Sequence, residues 1–282
     1  MNEPLLLRSF RDGVTTLTMN DPRRLNGWTQ PMLEALEAAL RAANDDPETK
    51  VVVLTATDPY YSAGVNLAGA LRLDTPAKVR AFIVERNRTL FEPFLALDKP
   101  ILVAVNGPAI GATVTSATLC DAVLASERAT FSTPFARLGV TPEGCSSEVF
   151  PRRLGAAPAE RLLGPEGWVP TAAEAKAIGL VDHVVPHERL LAEAHALALE
   201  WIAAGKPRAF PADFSRDELR AISARESEVL ADAFLASPFL MGQFRFLWGK
   251  RKRGLALAFL ALRVTRPLWA LALPPPRPRG SP

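Results

Sequence analysis

A chain of 282 residues, 48% hydrophobic and 22% charged, has room for a large core and the balance of a folded globular protein. Two cysteines, Cys120 and Cys145, supply neither a disulfide framework nor a metal-binding spacing, which points to a reducing compartment. The net charge of +3 is unevenly spread: nine Lys/Arg and no Asp/Glu lie between Phe239 and Pro282, so the rest of the chain is net acidic.

The N-terminus lacks the basic-then-apolar pattern of a signal peptide, and the C-terminus lacks Ser-Lys-Leu, so the expected location is cytoplasmic. Leu5 to Phe10 and Val14 to Met19 read as strands joined by a turn at Arg11-Asp12-Gly13. Asp21 to Asn26 is a loop with two adjacent arginines, either a solvated basic turn or a contact for a phosphate-bearing ligand. Thr29 is placed to cap a helix whose apolar stripe runs through Met32, Leu33, Leu36, Ala39, Leu40 and Ala43. A valine-rich strand, Lys50 to Thr55, leads into the small-residue loop Ser62-Ala63-Gly64-Val65-Asn66-Leu67. A helix over Pro76 to Leu97 follows, then a continuous apolar strand, Ile101 to Val105. Asn106-Gly107-Pro108 stops that strand, and the sequence turns helix-compatible from Gly111 through Leu119.

Strands are expected at Ala122 to Ala125, Ala129 to Ser132 and Leu180 to Val185. Between and after them fall helices over Ala157 to Leu163, Thr171 to Ile178 and Leu190 to Ala204. This alternation predicts an α/β core with mainly parallel pairing. Beyond Lys206-Pro207 the pattern is helical from Arg216 to Trp248. The apolar stretch Gly254 to Leu273 is interrupted by Arg263, Arg266 and Pro267, which suits a helix lying on a membrane or on another subunit better than a transmembrane span. The Pro/Arg-rich ending is expected to be extended and disordered. The division is then a core over residues 1–206, a helical region over 207–253 and an apolar, basic tail over 254–282.

Chemistry concentrates at two glycine turns, Ala63-Gly64-Val65 and Ile110-Gly111-Ala112, each following a strand and each able to offer a peptide N–H. Two converging N–H groups would form an oxyanion hole, assisted at Gly111 by the start of a helix. There is no Walker lysine, no Gly-x-Gly-x-x-Gly and no Gly-x-Ser-x-Gly, so nucleotide-binding and serine-hydrolase readings fall away. His183, His187 and His195 do not form a metal motif, and no metal is expected. Glu143 is the one carboxylate in the stretch Leu138 to Ser147. Held among apolar groups it would act as a base toward a weak carbon acid; in an open loop it would be an ordinary surface carboxylate.

The two turns, the run Asn106-Gly107-Pro108-Ala109-Ile110-Gly111, Cys120-Asp121, Ala129-Thr130-Phe131 and the segment Thr171 to Leu180, in that order, resemble the enoyl-CoA hydratase/isomerase (crotonase) superfamily over about Leu5 to Phe246. Phe131 to Phe135 and Pro142 to Ser147 most resemble its peroxisomal-type Δ3,Δ2-enoyl-CoA isomerases. The resemblance implies an α/β spiral of ββα turns, a C-terminal helical trimerisation region and a substrate carried on coenzyme A, with no separate cofactor. It places the oxyanion hole at the N–H groups of Val65 and Ala112, the base at Glu143, and coenzyme A contacts at Arg24, Leu25, Asn26, Ala63, Gly64, Asn66, Leu67 and Gly111. It further implies a homotrimer or dimer of trimers; no nucleic-acid partner is expected, since no aromatic-interleaved recognition motif accompanies the basic tail. The positions of the two hydratase glutamates correspond to Thr115 and Phe135, which argues for double-bond isomerisation and against hydration. Other chemistries of the superfamily (thioester hydrolysis, decarboxylation, dehalogenation) and a non-catalytic acyl-CoA-binding scaffold are the competing readings.

Overall fold

The computed structural model describes residues 3–65 and 74–273. Strands β1 (Leu6–Arg11) and β2 (Val14–Met19) form an antiparallel hairpin closed by Asp12 and Gly13, both at positive φ. That pair of left-handed residues matches the right-handed twist of the strands it joins. From β2 the sheet continues in parallel through β3 (Val51–Ala56) and β4 (Ile101–Val105). The strands β5 (Ala109–Ile110) and β7 (Phe131–Ser132) leave it to form a small parallel sheet of their own. β6 (Ala122–Ser126) and β8 (His183–Val185) complete the six-stranded sheet, in the order β1-β2-β3-β4-β6-β8.

Single bridges Trp28↔Val65, Ser62↔Ala109 and Thr130↔Thr171 extend the small sheet as a second ladder. Each passage of the chain thus adds one long strand to the first sheet and a short strand or bridge to the second. This is the expected spiral, and its advance brings the Gly64 turn directly beside the Gly111 turn.

Helix α1 (Gln30–Asp45) starts as expected, the Thr29 hydroxyl accepting the Met32 N–H at 3.4 Å, and buries Met32, Leu36, Leu40 and Ala43. α2 (Pro76–Ala96) precedes β4, and α3 (Ala112–Ala117) follows β5. β3 and β4 are buried along their whole length, as strands covered on both faces should be. Leu17, Leu54, Val103 and Val123 face the main core between the sheet and the inner helices. Val51, Val53, Leu102 and Leu124 face the other way, onto Leu190, Ala194, Ala198 and Trp201 of a later helix.

Four short helices occupy the middle of the chain: α4 (Phe135–Leu138), α5 (Ser146–Leu154), α6 (Ala156–Leu163) and α7 (Ala172–Ala177). The last strand is shorter than the apolar pattern suggests. Leu180 and Val181 are buried in the turn after α7, and pairing begins only at His183. α8 (Leu190–Ala203) is the helix that covers the outer face of the sheet.

The helical stretch expected over Arg216 to Trp248 is divided into two helices. α9 (Arg216–Phe234) opens with a capping box at Ser215 and Glu218, and α10 (Ser237–Gly249) begins with Pro238 in its first turn. Ala236, two residues before that proline, is extended, since proline cannot donate the N–H that would continue α9. α9 lies along α2, held by Arg80 to Glu228 (2.5 Å) and Asp232 (2.8 Å) and by Asn87 to Ser227 (3.0 Å). α11 (Arg253–Val264) packs on α10 and is followed by α12 (Arg266–Trp269). Phe259 of α11 reaches the cluster of Phe234 and Phe239, but Leu257, Val264 and Leu268 remain exposed. No helix among the described residues is long and apolar enough to cross a membrane. The Pro/Arg-rich ending lies outside the described residues.

Candidate active site

A cavity of about 150 Å³ opens where the two glycine turns meet α2, the segment 134–143 and α9. Ala63, Gly64 and Val65 form one edge and Ile110, Gly111 and Ala112 the next. The turns touch. Gly64 has φ +84°, and a Cβ there would sit 2.6 Å from the Ile110 carbonyl oxygen, so the position needs glycine for both conformation and space. Ser62 accepts the Ile110 N–H (3.1 Å) and donates its own N–H to Pro108 (3.2 Å), which locks the two turns in register. Neither the Val65 nor the Ala112 N–H donates to any acceptor among the described residues. α3 is six residues long rather than the nine the sequence suggested, so at Ala112 the peptide N–H itself matters more than a helix dipole.

Glu143 faces the same space and is the only carboxylate among the described lining residues. It is half-buried, and its carboxylate accepts no hydrogen bond from the described residues. The walls around it are mostly apolar: Leu138 and Val140 from its own segment, Phe82, Ile83 and Leu90 from α2, Leu230 and Phe234 from α9. Loss of water, followed by repulsion from the buried Glu226, raises the Glu143 pKa from 4.5 to about 8. Phe135 lines the cavity, and Thr115 lies behind it with its hydroxyl bonded to the Ala112 carbonyl at 3.2 Å.

The loop Arg24 to Asn26 is tied to the first turn but does not line the cavity. Ala63 donates to the Leu25 carbonyl (2.9 Å), and the Ser62 hydroxyl to the Asn26 carbonyl (2.7 Å). The Asn26 side chain is fully buried, accepting from Asp21 N–H and donating to the Thr57 and Tyr60 carbonyls. These bonds brace the loop from within. Arg24 is exposed and only loosely paired with Asp21 at 3.3 Å. Asn66 and Leu67 lie outside the described residues.

Three polar groups near the cavity escaped sequence reasoning. Asn87 and Arg86 of α2 line it, and Glu226 of α9 lies buried behind Glu143. Glu226 sits seven residues after Leu219 and four before Leu230, both buried, so its place on the inward face of α9 was a signal in the spacing.

A spiral α/β protein whose turns bring two peptide N–H groups and one carboxylate to an apolar cavity is the class that fold and site define. The sequence profile of that class, enoyl-CoA hydratase/isomerase, matches residues 9–247, and the chain belongs to this family. It is 35% identical over 258 residues to human enoyl-CoA delta isomerase 2, covering 88% of this chain and 64% of that protein. To mouse enoyl-CoA delta isomerase 3, peroxisomal, it is 37% identical over 184 residues, covering 64% of this chain and 57% of the mouse protein. The chain therefore spans roughly half to two-thirds of the length of these relatives. Among solved structures, an enoyl-CoA hydratase/isomerase from Pseudoalteromonas atlantica T6c superposes with a TM-score of 0.71 at 28% identity, covering 87% of this chain and 97% of that one.

Proposed function

We propose that the protein shifts the double bond of a 3-enoyl-CoA to the 2-position. The thioester oxygen lies between the Val65 and Ala112 N–H groups, and the Glu143 carboxylate removes a proton from C2. The electron pair of the broken C–H bond moves into the C1–C2 bond, and charge collects on the thioester oxygen. Donors placed at such an oxygen contribute roughly 3 kcal/mol each to the transition state. Glu143, now protonated, delivers the proton to C4. The double bond moves from C3–C4 to C2–C3, where it conjugates with the thioester, and the carboxylate is regenerated.

A raised pKa suits both halves of this cycle, because the same group must take a proton from carbon and give it back. The observation that carries the reading is one carboxylate, and no second among the described residues, in a cavity edged by two peptide N–H groups that have no acceptor among the described residues. Water activation in a hydratase would call on a second carboxylate, and Thr115 and Phe135 stand at the corresponding positions. The exposed Arg24 and the loop around it border the first turn and would meet the coenzyme A moiety. Assembly as a homotrimer or a dimer of trimers forms part of the same proposal, and sedimentation velocity tests it.

The direct test is a spectroscopic assay with a 3-enoyl-CoA beside a hydration assay with the 2-enoyl product. Isomerisation without hydration is expected, with isomerisation lost in Glu143→Gln. Near-normal turnover by that variant, or hydration as the faster reaction, would refute the assignment.

A further inference from the structure

Glu226 is an unusual group to bury. It is 6% exposed on the inner face of α9, and no cation among the described residues bonds to it. Its two oxygens accept instead from the backbone at the start of α5: Oε2 from the Cys145 N–H at 2.6 Å and Oε1 from the Ser147 N–H at 2.9 Å. A neutral Ser, Thr or Asn can satisfy such N–H groups without the cost of desolvating a charge. The segment it grips is the one that carries Glu143. Between the two bonded amides stands Ser146, whose hydroxyl donates to the Glu143 carbonyl at 2.7 Å. On the opposite side Gly144 presses against α3 and α2, where an added Cβ would lie 2.5 Å from the Thr115 hydroxyl and 2.6 Å from the Phe91 ring. The Cys145 thiol donates to the Leu219 carbonyl at 3.2 Å, a third tie between this loop and α9.

Resting on the reading of Glu143 as the proton-transferring group, we infer that Glu226 is its positioning residue: from α9 it clamps the two amides that fix the base-bearing loop, and as a buried anion it faces the base. The mechanical part follows from the bonds. Residues 143–147 are held between Glu226 and the Thr115–Phe91 wall, so the Glu143 side chain enters the cavity from a fixed backbone. The electrostatic part follows from an asymmetry. Glu226 has two N–H donors at a helix start that stabilise its charged form, whereas Glu143 has no hydrogen bond from the described residues. Of these two neighbouring carboxylates, Glu226 is therefore the one that ionises first as pH rises, and Glu143 the one that binds the proton more tightly. Repulsion from Glu226 is the one charge effect that raises the Glu143 pKa. The other titratable or charged groups facing Glu226 are few. Glu148 of α5 is paired with Arg225 of α9 at 2.5 Å, and the Cys145 thiol is pushed out of the range of ordinary titration by burial. From α2 come the neutral Asn87, bonded to Ser227, and Arg86, which lines the same cavity as Glu143.

The test compares Glu226→Gln, which removes the charge and puts an amide NH2 where one N–H must be accepted, with Glu226→Asp, which keeps the charge but shortens its reach. In Glu226→Gln, exchange of the Cys145 and Ser147 amides should speed up at least tenfold. The Glu143 carboxyl, followed by 13C NMR, should titrate about one pH unit lower, and kcat on a 3-enoyl-CoA should fall at least tenfold with KM within twofold. Glu226→Asp should lower kcat while leaving the Glu143 titration near that of the wild type. Unchanged amide exchange together with an unchanged Glu143 titration in Glu226→Gln would overturn the inference, as would a raised KM with kcat intact. Should Glu226→Gln fail to fold, a wild-type kcat in Glu226→Asp would overturn it. Absence of isomerase activity in the wild type would instead remove the proposed function, while amide exchange and the Glu143 titration would still decide the clamp.

Discussion

Replacing Glu143 by glutamine is expected to make the protein more stable in weak alkali, even as it removes activity. In the unfolded chain this glutamate releases its proton near 4.5; in the native protein it holds the proton up to about 8. Between those values the unfolded state binds fewer protons than the native state, so stability that is fully present below pH 4.5 is lost as pH rises. Each pH unit of separation corresponds to 1.36 kcal/mol. By pH 8 the wild type should have lost on the order of 4 kcal/mol through this group, a large part of the roughly 5–15 kcal/mol typical of a folded protein. Glutamine keeps the shape and cannot ionise, so the variant escapes this loss. Glu226, whose pKa is raised to about 7 by burial, gives its own downward slope over the same range in both proteins, so the difference between them reads Glu143 together with its repulsion from Glu226. Urea denaturation at pH 5, 6, 7 and 8 reads the effect. The two midpoints should lie close together at pH 5 and separate steadily in favour of the variant, with unchanged m-values. Parallel curves would mean that Glu143 is as well solvated as an ordinary surface carboxylate, and the argument for a buried base would fail with it.

Other perturbations test the frame around the site. In the wild type kcat/KM should climb between pH 6 and pH 8 as Glu143 ionises, and the limb should be measured with a single 3-enoyl-CoA at subsaturating concentration. Gly64→Ala places a methyl 2.6 Å from the Ile110 carbonyl at a φ of +84°, so a stability loss of about 1–3 kcal/mol and a fall in kcat/KM of at least 100-fold are expected. Arg208→Ala leaves the fully buried Asp121 without its partner and the Leu119 carbonyl without a donor, and should lower stability by about 3–5 kcal/mol in chemical denaturation. Thr29→Ala removes one long capping bond and should cost about 0.5–1 kcal/mol in chemical denaturation.

Much of this protein is decided by short-range chemistry that the chain displays openly. The valine-rich run before Ala56 makes a fully buried strand, Thr29 caps the helix it precedes, and the glycines at 64 and 111 each end a turn beside a peptide N–H with no acceptor among the described residues. These depend on a residue and its near neighbours, so the spacing of apolar and turn-forming residues suffices to place them. The resemblance carried by the two turns and by Pro142 to Ser147 extends over most of the chain, and the family profile agrees with it. The tertiary structure decided what faces what. Only the spiral sets the Gly64 turn against Ile110, and only the folding back of α9 brings Glu226 to Cys145, 81 residues away in the chain. The spacing of Glu226 against Leu219 and Leu230 marks the inward face of α9, but not the loop that this face meets. Asn26 is a polar side chain in an exposed-looking loop whose amide is fully engaged by Thr57 and Tyr60, more than thirty residues downstream. Periodicity along a chain records which side of an element is apolar; the partner that meets that side, and the polar group set within it, is fixed only when distant segments close on one another.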